Sequence, residues 1–159
     1  MIKNNLPDSS RVWVYQSNVK FTDDQLAVIN SKLTDFLSSW DSHGAALQAA
    51  AQVLYDQFIV LFVDEGSQMA TGCSIDKSVA LIKSIESETG VDLMNRMNIA
   101  YQKADEIVVQ KMMDFKSSIK SGDVNENTTV FNNLVQTKGE FLSSWQGPAK
   151  DSWHNQLLL

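Results

Sequence analysis

The feature that most limits how this chain can fold is an uninterrupted apolar run, FIVLFV, at residues 58–63. A run of six residues is too short for a membrane-spanning helix, which needs about 20, so it predicts a strand that continues to Glu65. The preceding segment, ALQAAAQVLY at residues 46–55, has helix-favouring alanines but alternates with a period of two. We predict a strand there, with helix as the alternative. Since only Asp56 and Gln57 separate the two segments, they should form a hairpin.

Two amphipathic helices are predicted, one on each side of this hairpin in the sequence. Thr22 and Gln25 match the T-x-x-Q capping box, and an apolar stripe with spacings of three and four follows as far as Trp40. A second stripe predicts a helix over residues 74–89, which Gly90 should end. Each helix has a single apolar face, so each must cover one face of a sheet.

The order of the predicted elements indicates an α+β fold. Further strands are predicted at residues 11–16, 97–101 and 106–110, which gives the order β-α-β-β-α-β and a ferredoxin-like core sandwich. The remaining residues predict a C-terminal α/β extension: a helix at 111–121, an extended segment at 130–135 and a helix capped by Thr137. No polar linker divides the chain, so we expect one domain over residues 1–159, with 1–10 as a flexible N-terminal segment.

Charge and cysteine content limit the partners that the chain can have. The formal net charge is −6, which disfavours nucleic acid and anionic membranes because both select a basic surface. Cys73 is the only cysteine, so no intrachain disulfide can form. Residues 1–10 lack the apolar core of a signal peptide. We therefore predict a cytoplasmic protein without membrane insertion and without a nucleic-acid partner.

One motif suggests nucleotide hydrolysis and is rejected. The segment VLFVDE, residues 60–65, ends in Asp64 and Glu65 as a Walker B strand does. The phosphate-binding loop G-x-x-x-x-G-K-[ST] is absent, and Gly72 is followed by Cys-Ser instead of Lys-Ser. The ABC signature LSGGQ is absent as well. A P-loop ABC ATPase is therefore excluded by the sequence.

The start of the second helix provides the first candidate site. The segment GCSIDKS places Cys73, Ser74, Asp76 and Lys77 around a helix N-terminus, where amide groups and the helix dipole favour an anion and activate a thiol. These residues predict a small anionic ligand whose charge Lys77 neutralises. The alternative is purely structural: Ser74 caps the helix, Asp76 complements its dipole and Cys73 is a small buried filler.

The two histidines and two asparagines extend this candidate site. His43 or His154 could act as the base for a nucleophilic Cys73, the alternative being that His43 lies in a polar loop and His154 packs beside Trp153. Asn132 and Asn133 lie inside an apolar segment, so they either form a turn or line a pocket. No metal-ligand spacing and no cofactor motif is present, so neither is predicted.

The aromatic C-terminus is the candidate for protein contacts. Trp145, Trp153 and the leucines at 157–159 could form an interface, including one between copies of this chain, because tryptophan is enriched at interfaces. The alternative is that this tail folds back onto the chain's own sheet.

Four longer strings carry a resemblance that covers residues 11–158. GCSIDKSVALIK, DLMNRMNIAY, VFNNLVQTK and KDSWH resemble a family of small uncharacterised bacterial proteins that are often labelled "ABC transporter ATPase". The resemblance implies kinship but no established activity, and its label conflicts with the missing phosphate loop. The leading hypothesis is therefore a non-catalytic module that binds a small anionic ligand or a protein partner. The alternative is a thiol-dependent enzyme that uses Cys73 with a histidine base.

Overall fold

The computed structural model describes residues 4–66 and 68–159 and shows a mixed α+β architecture. The predicted class is thereby confirmed. The elements in chain order are β1 (Arg11–Gln16), α1 (Asp23–Ser39), β2 (Asp41–Ser42), β3 (Ala45–Ala46), β4 (Gln48–Leu54), β5 (Phe58–Asp64), α2 (Gly72–Thr89), β6 (Asn98–Lys103), β7 (Glu106–Lys111), α3 (Met112–Ser121), β8 (Thr129–Phe131), α4 (Lys138–Ser144) and β9 (Gln146–Pro148), followed by 3-10 turns at Ala149–Asp151 and Trp153–Leu157.

The first sheet has the strand order β1-β5-β4, with both pairings antiparallel. The segment before Phe58 is a strand and forms the predicted hairpin, whose turn places Tyr55 and Asp56 at positive φ. Every residue from Phe58 to Val63 is 0% exposed because β5 is covered on both faces. Ile59 and Leu61 pack against α1 and α2, whereas the alternate side chains pack toward the second sheet.

The second sheet has the strand order β7-β6-β8-β9 and lies against the first. Its outer face carries Ile99, Tyr101 and Val130, which pack against α3 and the C-terminal turns. The molecule therefore has four layers: a helix pair, two sheets, and a second helical layer. No helix among the described residues is long and apolar enough to cross a membrane.

The comparison with a ferredoxin-like core depends on which strands β6 pairs with. It is hydrogen-bonded to β7 and β8 within the second sheet. A side-chain hydrogen bond links it to β1, because Gln16 Nε2 donates to the Asn98 carbonyl at 3.2 Å. The ferredoxin-like core thus stays a prediction, and the space beside β1 belongs to the cleft described below.

The segment before β1 is fastened to the start of α4 by a buried lysine. Lys138 is 7% exposed, and its Nζ donates to the carbonyls of Asn4 and Leu6 at 3.0 and 2.7 Å. Its backbone N–H donates to the Ser10 carbonyl. The predicted flexibility of residues 1–10 stays a prediction, and residues 1–3 lie outside the described part of the chain.

Candidate functional site

Side chains at the start of α2 form its N-terminal capping box. Thr71 is the N-cap: its hydroxyl accepts from the Ser74 N–H at 3.4 Å, and the Ser74 hydroxyl accepts from the Thr71 N–H. Ser74 is therefore the reciprocal member of a capping box and not the cap itself, and it is 0% exposed. Asp76 lies beyond the first turn, so its expected role in complementing the helix dipole is not supported.

The two reactive side chains of this turn face solvent. Cys73 is exposed, which rules out its interpretation as a buried filler. Lys77 is half-exposed and forms an ion pair with Asp41, on the short strand β2. The hydrogen bond from Lys77 lowers the pKa of Asp41 below its ordinary value. The ammonium group that was expected to neutralise a ligand therefore already has an anionic partner within the chain.

The cap itself gives a testable prediction. We expect Thr71→Ala to lower the free energy of unfolding by about 1 kcal/mol, since the N-cap acceptor for the Ser74 N–H is lost. Thr71→Ser keeps the oxygen and should retain most of the stability. Urea unfolding followed by circular dichroism measures both. Equal stability of the alanine and serine variants would contradict the role of the hydroxyl.

The histidines are not joined to the thiol. His43 is exposed in the turn between β2 and β3, with a φ of 52°. His154 is buried, and its ring stacks on Trp153 with 3.9 Å between centroids, as its structural alternative predicts. Within the described residues, no hydrogen bond links Cys73 to either histidine.

A cleft of about 840 Å³ lies beside the outer edge of β1. Its walls come from four regions: β1, the residues from Leu93 to Ala100, the chain from Phe131 to Thr137, and the pair Trp153 and His154. Two of the predicted site residues, Asn133 and His154, meet here. The four predicted residues of the α2 N-terminus do not line it, so the structure separates the predicted site into two places.

Both arginines of the chain, Arg11 and Arg96, line the cleft. Sequence reasoning missed them. Arg11 pairs with Glu65 at 3.4 Å and lies over the ring of Trp13 at 4.7 Å. Arg96 is exposed and forms no ion pair within the described residues. Although the chain has 19 acidic residues, none of the described residues that line the cleft is acidic.

Tyr15 adds a hydroxyl near the second arginine. Burial raises the pKa of Tyr15, while a hydrogen bond with Ser78 and the charge of Arg96 act in the opposite direction. The phenol therefore stays protonated near neutral pH, and the positive charge of Arg96 is not neutralised by it.

Asn133 connects the walls of the cleft. Its Nδ2 donates to Gln16 Oε1 at 2.9 Å, and its Oδ1 accepts from Trp145 Nε1 at 2.9 Å. Gln16 in turn donates to the Asn98 carbonyl. Asn132 forms the turn expected as its alternative, since its Oδ1 accepts from the Leu134 N–H and it does not line the cleft. Asn133 thus holds the wall in place through both ends of its amide.

His154 is a buried polar group of the cleft. It is 1% exposed, and its Nδ1 lies 2.7 Å from the Ser152 hydroxyl. The same hydroxyl lies 3.3 Å from the Ala149 carbonyl. The other ring nitrogen, Nε2, is buried and has no hydrogen-bond partner. Burial lowers the pKa of His154 to about 4.

Two other predicted features have structural roles. Asp64 accepts from the Gly66 N–H, and Glu65 accepts from the Ala70 N–H while pairing with Arg11, so both acids of the Walker-like strand are engaged within the chain. Trp145 is 4% exposed within the first core cluster, which leaves little of its surface for an interface.

The described residues contain no group of three or more metal-ligating side chains. Comparison of the chain with protein-family models, with curated proteins and with solved structures gives no match.

Proposed function

We propose that this chain is a binding protein whose cleft takes a small organic anion with an apolar body. The observation that carries the proposal is the contrast in charge: in an acidic chain of net charge −6, both arginines and none of the described acidic residues line one cleft, and of the two only Arg96 has no ion-pair partner among the described residues. Such a place attracts an anion that the acidic remainder of the surface repels.

The size and lining of the cleft support the same conclusion. Its volume of about 840 Å³ falls in the range of about 300–1,000 Å³ that small-molecule sites occupy. Apolar and aromatic side chains such as Val14, Leu93 and Trp153 contact the space, and they suit an apolar ligand body. The guanidinium of Arg96 presents donors in a planar fork that matches a carboxylate or a phosphate.

Apolar carboxylates provide the first test. We expect octanoate and 3-phenylpropionate to raise the melting temperature and to bind in isothermal titration, whereas the corresponding alcohols bind more weakly. Arg96→Gln should weaken carboxylate binding about tenfold, because a charge-assisted hydrogen bond is worth about 1.5–3 kcal/mol.

The matched control is Lys83→Gln on α2, an exposed residue outside the cleft that also removes one positive charge. It should change the affinity by less than about twofold, as expected for a distant and screened charge. The proposal is wrong if neither carboxylate binds at millimolar concentration, or if the two glutamine variants weaken binding equally.

The proposal also includes the finer structural and cellular predictions. The antiparallel order β1-β5-β4 and the two helices on one face support a ferredoxin-like core whose last strand, β6, has joined the second sheet. The single cysteine supports action in the reducing cytoplasm. Self-association would depend on Trp153 and the terminal leucines, of which Leu159 is exposed.

A further inference from the structure

We infer that the anion is the C-terminal carboxylate of a short extended peptide, which adds to the free edge of β1. This inference rests on the proposed function, because it names the ligand class of the same cleft. It also predicts a contact that a simple apolar carboxylate cannot make, namely main-chain hydrogen bonds to Val14. Such pairing is how extended peptides add to open sheet edges.

The direction of the main-chain groups along β1 follows from its two neighbours. The Val12 N–H donates to the Gln136 carbonyl, and the Ser10 carbonyl accepts from the Lys138 N–H. Both residues therefore face away from β5. Since neighbouring residues of a strand point their main-chain groups to opposite sides, Val14 and Gln16 face outward as well.

The outward pairing stops before Val14. An isolated bridge joins Arg11 to Thr137, and the chain from Thr137 back to Phe131 then borders the cleft instead of continuing the sheet. Within the described residues, neither the N–H nor the carbonyl of Val14 has a hydrogen-bond partner on the side of β1 that faces away from β5. These two groups lie on a wall of the cleft, and they offer one donor and one acceptor to an extended chain.

The length of the free edge and its charge set the size and direction of the peptide. From Val12 to Gln16 the edge spans about 13 Å, which accommodates three or four extended residues. Arg96 precedes Asn98 by two residues, and the Asn98 carbonyl accepts a hydrogen bond from Gln16, so Arg96 lies toward the Gln16 end of this edge. A carboxylate at Arg96 therefore makes the peptide run parallel to β1.

The experiment compares three probes: pooled N-acetylated tetrapeptides with a free carboxylate, built from alanine, valine, leucine and phenylalanine; the same pool with C-terminal amides; and octanoate. Affinity is measured by titration, and hydrogen exchange of the Val14 amide is followed by nuclear magnetic resonance. We expect the free-acid pool to bind and to slow the exchange of Val14 at least about tenfold, and the amidated pool to bind at least about tenfold more weakly.

Each of the other outcomes contradicts the peptide inference, the proposed function or both. If octanoate binds but the free-acid pool does not, or if the pool binds without protecting Val14, the peptide inference is wrong and the proposed function survives. If both pools bind equally, the role of the carboxylate is wrong, and the proposed function loses its support with it. If no probe binds, both proposals are wrong.

A variant tests the hydrogen bond directly. Val14→Pro removes the outward N–H, while the bonds to β5 come from Trp13 and Tyr15 and remain. Relative to Val14→Ala, which keeps the N–H and also shortens the same side chain, Val14→Pro should lower the affinity for the free-acid pool at least about tenfold. If the proline variant does not fold, a pool with ester bonds in place of internal amides tests the same contact, and undiminished binding of that pool contradicts the inference.

Discussion

At pH 4 the protein is expected to be less stable than at pH 7 by about 3 kcal/mol through His154 alone. Burial lowers the pKa of this histidine from 6.5 to about 4 in the folded state. Between these two values the unfolded chain binds a proton that the folded chain does not, so stability falls as the pH decreases. Each pKa unit is worth about 1.4 kcal/mol, and the contribution is fully present above pH 6.5 and lost as the pH approaches 4.

The burial of the ring explains why protonation is so unfavourable. A charged imidazole would have no anionic partner among its described contacts, which are Trp153, Phe115 and Ser152. In the protonated ring both nitrogens are donors, and Nε2 would be a buried N–H donor without an acceptor. Both costs arise only in the folded state.

The measurement is urea unfolding at several values between pH 7 and pH 4. His154→Asn keeps a polar group near the Ser152 hydroxyl but does not titrate, so the difference in stability between the unmodified protein and this variant should shrink by about 3 kcal/mol over that range. His43→Asn serves as the control for loss of a surface imidazole. Parallel pH profiles for the unmodified protein and His154→Asn would show that the histidine is not responsible.

The secondary structure could be predicted because its signals are local. The capping box at Thr22 and Gln25 is present with both of its hydrogen bonds, and the left-handed Gly90 ends α2. The β4–β5 hairpin, which turns at Asp56, could also be predicted from the alternation of side chains and the short turn alone. In each case the deciding contacts lie within a few residues of sequence.

The candidate site could be predicted only in part, because its contacts join distant segments. The predicted cluster at Cys73 and Lys77 is a typical anion-site pattern, but the partner of the lysine, Asp41, comes from a strand that sequence reasoning did not identify. The cleft needs β1, the start of β6 and the residues after β8 side by side. A signal was available: a ferredoxin-like order makes the first and last strands antiparallel neighbours, which would have placed Arg96, just before β6, close to the end of β1.

Replacing Asn133 should be among the most destabilising single changes at the cleft. We expect Asn133→Ala to lower the free energy of unfolding by about 3 kcal/mol, because it leaves two groups, Gln16 Oε1 and Trp145 Nε1, without their partner. A buried polar group that loses its hydrogen bond costs about 1–3 kcal/mol. The change also removes the side-chain link between Asn133 and β1, so it should widen the cleft and weaken ligand binding. Urea unfolding at pH 7 gives the stability.

Two further variants separate the network from a general loss of amide groups. Asn132→Ala removes the neighbouring asparagine, whose side chain only supports the local turn, and should cost less than about 1 kcal/mol. Asn133→Asp can still accept from Trp145 but turns a second acceptor toward Gln16 Oε1, so it should also cost more than Asn132→Ala. If Asn132→Ala costs as much as Asn133→Ala, the bonds across the cleft do not hold its walls. Both changes at Asn133 should exceed the change at Asn132 because only the side chain of Asn133 bonds to distant segments, whereas a loss of turn propensity would affect both positions.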